Sequence, residues 1–130
     1  MKTDKLPLSL YIHIPFCKKK CLYCDFLSAP ACAREREGYV KALLREISVM
    51  AKLCEEYRII SVFFGGGTPS LLSSSQMERI MSAIRKGYCL SRDAEITVEC
   101  NPATADLQKL QEYRACGINR LSIGLQSANE

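Results

Sequence analysis

The chain has 130 residues, of which 48% are hydrophobic and 25% are charged, and its formal net charge is +4. This length and composition predict one globular domain with its own core and exclude a disordered or collagen-like protein. The longest run of positive charge is residues 18–20, which is too short to indicate a nucleic-acid surface. The sequence also contains no apolar run of about eighteen residues, so we expect no membrane span.

Four short apolar segments predict strands. They are LSLYIHI, IISVFF, EITVEC and RLSIGL, at residues 8–14, 59–64, 95–100 and 120–125. The connections between them are long enough for helical crossovers, so the order βαβαβαβ predicts parallel strands, right-handed crossovers and helices packed against the sheet. In such sheets ligands bind beyond the carboxyl ends of the strands.

Three helices are predicted between these strands. The first covers residues 34–57, where apolar positions at helical spacing are Val40, Leu43, Leu44, Ile47, Ala51 and Cys54. The second begins at a capping box of residues 75–78 and stops at Gly87, and its buried stripe is Met77, Ile80, Met81 and Ile84. The third is capped by Thr104 and ends at Gly117, with Leu107, Leu110 and Arg114 at helical spacing.

A cysteine-rich loop, FCKKKCLYCDF, follows the first predicted strand at residues 16–26. Its cysteines, Cys17, Cys21 and Cys24, are close enough to hold one metal centre. An iron–sulfur cluster with three protein ligands keeps one iron open for a small molecule. A structural zinc site is an alternative and would take its fourth ligand from His13, Asp25 or Cys32. Unligated cysteines are a further alternative.

Four of the other five cysteines are interpreted as small core residues, and they are Cys54, Cys89, Cys100 and Cys116. No secretory signal is expected, because Asp4, Pro7 and His13 interrupt the apolar N-terminal stretch and no cleavage site follows. Eight cysteines without an export signal indicate thiols or metal ligands in a reducing cytoplasm rather than disulfides.

Two further motifs stand at the predicted carboxyl ends of strands. The second strand ends in GGGTPS, residues 65–70, where glycines allow a close backbone approach and Pro69 directs the exit. It matches neither of the glycine-rich phosphate motifs GxxxxGK[ST] and GxGxxG, and a plain tight turn is the alternative. Glu99 ends the third strand, where a carboxylate points into the ligand crevice, unless it is simply a solvated charge.

These motifs resemble a known family. The Cys-x3-Cys-x2-Cys pattern, with Tyr23 before the third cysteine, resembles the radical S-adenosylmethionine (radical SAM) superfamily. YIHIPFC, CDF, FFGGGTPSLL, EITVECNP and GINRLSIGLQS resemble, in order and spacing, the oxygen-independent coproporphyrinogen III oxidases and their relatives, the haem chaperones. The resemblance implies an α/β fold in which parallel βα repeats form the first half of a partial TIM-like (βα)6 barrel. We expect residues 1–130 to be the truncated N-terminal part of that core domain, with no second domain.

The resemblance also implies the site. Cys17, Cys21 and Cys24 would hold a 4Fe-4S cluster, whose open iron binds S-adenosylmethionine. Contacts with S-adenosylmethionine are implied for Tyr11, Tyr23, Gly66, Gly67, Thr68, Glu99 and Gln126. An electron from a flavodoxin-like or other reductase would reduce the cluster. The reduced cluster would then split S-adenosylmethionine into methionine and a 5′-deoxyadenosyl radical, which abstracts hydrogen.

One departure from the family distinguishes its branches. The oxidases carry a further cysteine two residues after the third, where this chain has Phe26. This departure favours the haem chaperone, which binds haem and delivers it to an apo-protein. The alternative is the oxidase of porphyrin biosynthesis, which decarboxylates a porphyrinogen. Whether this chain alone is an enzyme stays open.

Overall fold

The computed structural model describes residues 5–16 and 29–123. Strands and α-helices alternate along this part of the chain. They are β1 Leu6–Ile14, α1 Ala29–Ala51, β2 Tyr57–Gly66, α2 Ser74–Gly87, β3 Cys89–Cys100, α3 Leu107–Cys116 and β4 Arg120–Ile123. Short 3-10 helices at Lys52–Cys54, Pro69–Leu71 and Pro102–Thr104 lie in the connections. Within the described ranges, no helix is both long enough and apolar enough to cross a membrane.

The strands form one parallel sheet in the order β1-β2-β3-β4, as the sequence predicts. Each observed strand overlaps its predicted segment. β3 is the longest and begins six residues before the predicted start at residue 95, because the polar stretch Ser91–Asp93 still runs in strand conformation. β4 is described as far as Ile123, so the last two residues of the predicted fourth strand fall beyond the described part.

The core lies between one face of the sheet and the three helices. Alternate strand residues enter it, namely Ile12 and Ile14 of β1, Val62 and Phe64 of β2, and Ile96 and Val98 of β3. The helices contribute Val40, Ile47, Met77, Ile80, Met81, Ile84, Tyr113 and Cys116. The helices therefore cover this face, which leaves the opposite face of the sheet for other contacts.

A bulge in β2 keeps its apolar residues on the core side. The register between β1 and β2 shifts between Leu8 and Ser9, where Ile59 and Ser61 are successive partners and Ile60 is left over. Ile59 and Val62 are both buried although three positions separate them, whereas Ile60 is 39% exposed. Strict alternation along IISVFF does not predict this arrangement.

The boundaries of α1 differ from the predicted ones. The helix begins at Ala29 and ends at Ala51, so the predicted extension to residue 57 is wrong. The chain instead tightens into the 3-10 helix Lys52–Cys54, and β2 starts at Tyr57. Within the predicted stripe, Val40 and Ile47 are buried and the other apolar positions are half-buried.

The predicted caps of α2 and α3 are also displaced. The capping box of α2 is formed by Ser73 and Gln76, two residues before the predicted pair, and its buried stripe is confirmed. Gly87 is the last residue of α2, and Tyr88 caps the helix in an extended conformation. The N-cap of α3 is Asp106, because Thr104 is part of the preceding 3-10 helix.

The buried face of α3 differs from the predicted one as well. Tyr113 and Cys116 are its buried residues, whereas Leu107 is 71% exposed. The helix ends as predicted at Gly117, which has a φ of 117°.

The core interpretation of the isolated cysteines holds for two of them. Cys100 and Cys116 are buried, and Cys54 is half-buried. Cys89 is exposed, so its assignment to the core is wrong. It is the first residue of β3, and the next residue, Leu90, packs against the core, so alternation turns Cys89 away.

Candidate functional site

The sheet face opposite the helices is largely polar. Its residues are Ser9, Tyr11 and His13 on β1, Ser61, Phe63 and Gly65 on β2, Glu95, Thr97 and Glu99 on β3, and Arg120 and Ser122 on β4. Across its middle, Tyr11, Phe63, Thr97 and Arg120 are successive register partners. Arg120 forms an ion pair with Glu95 at 3.4 Å. This face suits a polar ligand better than an apolar core.

The glycine segment at the end of β2 lies against the exit of β1. The amide of Gly67 donates to the carbonyl of Ile14 at 2.8 Å, and the amide of Thr68 donates to that of Phe16 at 2.5 Å. A Cβ atom on Gly67 would lie 2.2 Å from the Phe16 carbonyl oxygen. Glycine is therefore required at position 67 because two backbone segments approach each other closely.

Glu99 reaches this glycine segment from the end of β3. Its Oε1 atom accepts a hydrogen bond from the amide of Gly66 at 3.2 Å. Gly66 has a φ of 114°, and a Cβ atom there would lie 2.9 Å from the imidazole of His13. The structure thus brings a carboxylate, an imidazole and a glycine backbone together at the carboxyl ends of three strands.

The side chain of Tyr11 lies against Gly65. This side chain is 58% exposed, and its ring stacks on Phe63 with a centroid distance of 5.9 Å. A Cβ atom on Gly65 would lie 2.9 Å from the Tyr11 hydroxyl. The hydroxyl is also 3.4 Å from Nδ1 of His13. The aromatic pair therefore forms one wall beside the glycine segment.

Five of the ten predicted site residues lie outside the part of the chain that the structure describes. They are Cys17, Cys21, Tyr23, Cys24 and Gln126. The other five, Tyr11, Gly66, Gly67, Thr68 and Glu99, all lie at or beside the carboxyl ends of β1, β2 and β3. Within the described residues, 5–16 and 29–123, no group of three His, Cys, Asp or Glu side chains is placed to hold a metal ion.

His13 was considered only as a ligand of the alternative zinc site and was not predicted as part of the cofactor site. It is exposed, shares a face with Tyr11 and lies beside Gly66. The signal was available in the sequence, since His13 is two positions after Tyr11 along a strand, and both side chains must then point to the same face.

A polar network behind the glycine segment was also missed. Ser70 and Thr104 form a hydrogen bond between their hydroxyl groups at 2.5 Å, and Ser70 Oγ accepts from the amide of Asn101 at 3.1 Å. Lys109 Nζ donates to the carbonyl oxygens of Ser70 at 2.8 Å and Thr104 at 3.3 Å. Burial lowers the pKa of Lys109. The network ties the loop after β2 to the loop after β3.

The relatives of this chain include proteins named as haem chaperones and as a porphyrinogen oxidase. The chain is 47% identical over 125 residues to the "Heme chaperone HemW" of Buchnera aphidicola subsp. Schizaphis graminum, covering 95% of this chain and 33% of that protein. It is 38% identical over 125 residues to the "Oxygen-independent coproporphyrinogen III oxidase" of Salmonella typhimurium, covering 95% of this chain and 27% of the relative. The chain thus spans about a third of the relatives it matches.

The fold agrees with a solved structure. The coproporphyrinogen III oxidase HemN of Escherichia coli, described as a radical SAM enzyme, superposes with a TM-score of 0.79 at 32% identity. The match covers 96% of this chain and 29% of that enzyme, and it confirms the predicted parallel βα repeats as part of this fold. The model of the Radical SAM superfamily matches residues 11–130. On this match, together with the fold, the chain belongs to the radical SAM superfamily.

Proposed function

We propose that this chain binds a 4Fe-4S cluster and S-adenosylmethionine and acts in haem metabolism, most specifically as a haem chaperone. The observation that carries the proposal is the hydrogen bond between Glu99 and Gly66, next to the backbone that enters the cysteine loop. A carboxylate and a glycine backbone at the strand ends, where the chain enters a segment with three closely spaced cysteines, suit a cluster with a bound amino acid group.

The described residues fit the two groups. The amides of Gly66, Gly67 and Thr68 donate within the protein, and the Thr68 carbonyl accepts from the amide of Leu71. The segment would therefore meet an ammonium group with the carbonyl oxygens of Gly66 and Gly67. The Glu99 carboxylate adds a negative charge beside them and retains one oxygen that this bond does not use. Cys17, Cys21 and Cys24 would supply the thiolates, as the family pattern implies.

The role of the protein follows from these contacts. When bound, the reduced cluster supplies the electron that splits S-adenosylmethionine into methionine and a 5′-deoxyadenosyl radical. Glu99 and the glycine segment orient the amino acid end of the cofactor. The stacked rings of Tyr11 and Phe63 exclude water from one side of the site.

Two observations favour the chaperone branch. The chain is more similar to the haem chaperone of Buchnera than to the oxidase of Salmonella, at 47% against 38% identity. Phe26 replaces the additional cysteine expected of the oxidases. The proposal includes haem as cargo, an apo-protein that receives it, a reductase as electron donor and a cytoplasmic location. The oxidase remains the second candidate, supported by the similarity in fold to HemN.

The proposal is tested by anaerobic reconstitution with iron and sulfide. We expect visible absorption of thiolate-bound iron and an electron paramagnetic resonance signal of the reduced cluster that changes on addition of S-adenosylmethionine. A folded protein that takes up no cluster, or that holds zinc with four ligands, would contradict the proposal.

A pair of variants separates cofactor binding from cluster binding. Glu99→Gln should keep the cluster but bind S-adenosylmethionine about tenfold more weakly, because a charged hydrogen bond contributes about 1.5 kcal/mol or more. Glu95→Gln is the matched control, since Glu95 lies on the same face of the same strand and pairs with Arg120. Equal binding by the two variants would remove Glu99 from the site.

Haem titration separates the two branches. A chaperone should bind haem tightly without net conversion, whereas an oxidase should consume coproporphyrinogen III and release a decarboxylated product. Product formation at a rate that matches cleavage of S-adenosylmethionine would decide for the oxidase.

A further inference from the structure

Tyr39 of α1 contacts the end of β1 at two points. Its hydroxyl donates to the carbonyl of His13 at 2.5 Å, and its ring packs edge-on against Phe16 with a centroid distance of 5.4 Å. Phe16 is the residue before Cys17. Tyr39 is thus a direct link between α1 and the backbone that enters the cysteine loop.

The other side of the same backbone is held by β2. Strand pairing between β1 and β2 ends at Ile14 and Gly66. Beyond that point Pro15 has no amide hydrogen, so the chain there depends on the bonds that Ile14 and Phe16 accept from Gly67 and Thr68. Tyr39 completes this attachment from the helix side, because it contacts the residues before and after Ile14 and Pro15.

We propose that Tyr39 is a positioning residue for the cysteine-containing segment, because it holds Phe16, the residue before Cys17, against α1. The inference rests on the proposed function, since it assigns a role toward the cluster that Cys17, Cys21 and Cys24 would hold. When the residue before the first cysteine is already held in place, less conformational freedom is lost as the thiolates converge on one centre. Groups hydrogen-bonded directly to metal ligands change metal affinity by about 10–100-fold when they are removed. Tyr39 acts one residue away, through Phe16, so we expect an effect at the lower end of this range.

The hydroxyl is suited to this task because it stays protonated. Burial, together with the negative charge of Glu46, raises the pKa of Tyr39. The group therefore remains a donor to the His13 carbonyl throughout the neutral pH range.

A second tyrosine offers a matched control. The hydroxyl of Tyr88 donates to the carbonyl of Ile47 at 2.9 Å, and burial raises the pKa of Tyr88 as well. Both tyrosines are half-buried, and each bonds a backbone carbonyl. Tyr88, however, follows α2 and contacts Ile47, near the C-terminal end of α1. The cysteine-containing segment precedes the other end of that helix in the sequence.

The experiment compares Tyr39→Phe with Tyr88→Phe and the unmodified protein after anaerobic reconstitution. Iron loss to a chelator and the reduction potential of the cluster are measured in all three. Hydrogen exchange at the amide of Thr68 is measured without cluster. Tyr39→Phe should release iron about tenfold faster than Tyr88→Phe, at an altered potential and with faster Thr68 exchange.

The outcomes separate this inference from the proposed function. Equal iron release from the two variants would overturn the role of Tyr39, because each loses one hydroxyl of the same kind. If the unmodified protein binds no cluster, the proposed function fails, and Thr68 exchange then decides on the attachment alone. Faster exchange in Tyr39→Phe only would support the attachment, and unchanged exchange would overturn it.

Discussion

At the scale of single residues, the glycines differ in what requires them. Gly67 has no room for a Cβ atom, since the nearest atom, the Phe16 carbonyl oxygen, would be 2.2 Å away and belongs to the backbone. Gly38 lies on the exposed side of α1, and a Cβ atom there would have nothing within 4 Å. The two positions therefore respond to the same substitution in opposite ways.

Gly67→Ala should destabilise the protein and weaken its hold on the cluster. The added methyl group must displace Phe16, and overpacking of this kind costs about 1–3 kcal/mol. Gly38→Ala should instead increase the free energy of unfolding by about 0.5–1 kcal/mol, because alanine favours the helix interior. Urea unfolding of both variants in the apo form measures the difference. Equal stability of the two variants would show that the backbone at Phe16 can shift to accommodate the methyl group at little cost in free energy.

Among the secondary-structure elements, α2 allows a direct test of its cap. The side chain of Ser73 accepts from the amide of Gln76, and the Gln76 side chain accepts from the amide of Ser73, each at 3.0 Å. Ser73→Ala should lower the free energy of unfolding by about 1 kcal/mol. Ser75→Ala should be neutral or slightly stabilising, since Ser75 lies inside the helix and is exposed. Thermal unfolding followed by circular dichroism compares the two, and a larger loss for Ser75→Ala would reassign the cap.

The number, type and parallel arrangement of the elements could be predicted because they depend on the period of the apolar residues. The boundaries could not, since three serines in succession, Ser73, Ser74 and Ser75, offer equivalent caps. The bulge at Ile60 depends on pairing with β1, which the local sequence of β2 does not contain. Tertiary contact therefore selects among local alternatives that the sequence leaves equal.

The site shows the same division between topology and contact. Parallel strands bring their carboxyl ends together, so the proximity of residues 65–70 and Glu99 was predictable from element order. The bond from Tyr39 to His13 joins residues 26 positions apart and depends on how α1 lies on the sheet. No periodic pattern in the sequence encodes that contact, whereas the side of β1 on which His13 lies follows from alternation.

At the scale of the whole molecule, the two faces of the sheet have different chemistry. The helix-covered face buries a thiol and a phenol, and burial favours the protonated, uncharged form of each. Burial, with Glu78 nearby, raises the pKa of Cys116 to about 11, and burial raises the pKa of Tyr113 strongly. The opposite face carries charged and polar groups at the ligand-binding ends of the strands. Alkaline pH should therefore act on the stability of the core, through the buried thiol and phenol.

The sign of this effect follows from the raised pKa of Cys116. The folded protein keeps the thiol proton at pH values where the unfolded chain has released it, so the stabilisation is complete below the ordinary pKa of 9.0 and falls as pH rises toward 11. Between pH 7.5 and 10.5 this one group should remove about 2 kcal/mol from the free energy of unfolding. Cys116→Ala lacks the group and should lose that much less over the same range.

Urea unfolding under reducing conditions at the two pH values measures this difference. Cys100 and Lys109 also respond to pH in this range, but they are present in both proteins and cancel in the comparison. Tyr113 cancels except for the minor part of its raised pKa that comes from Cys116. Cys89→Ala, which removes an exposed thiol, should keep the pH dependence of the unmodified protein. If Cys116→Ala and the unmodified protein lose stability equally, Cys116 must be able to ionise inside the folded core, which requires α3 to open where it packs on α2.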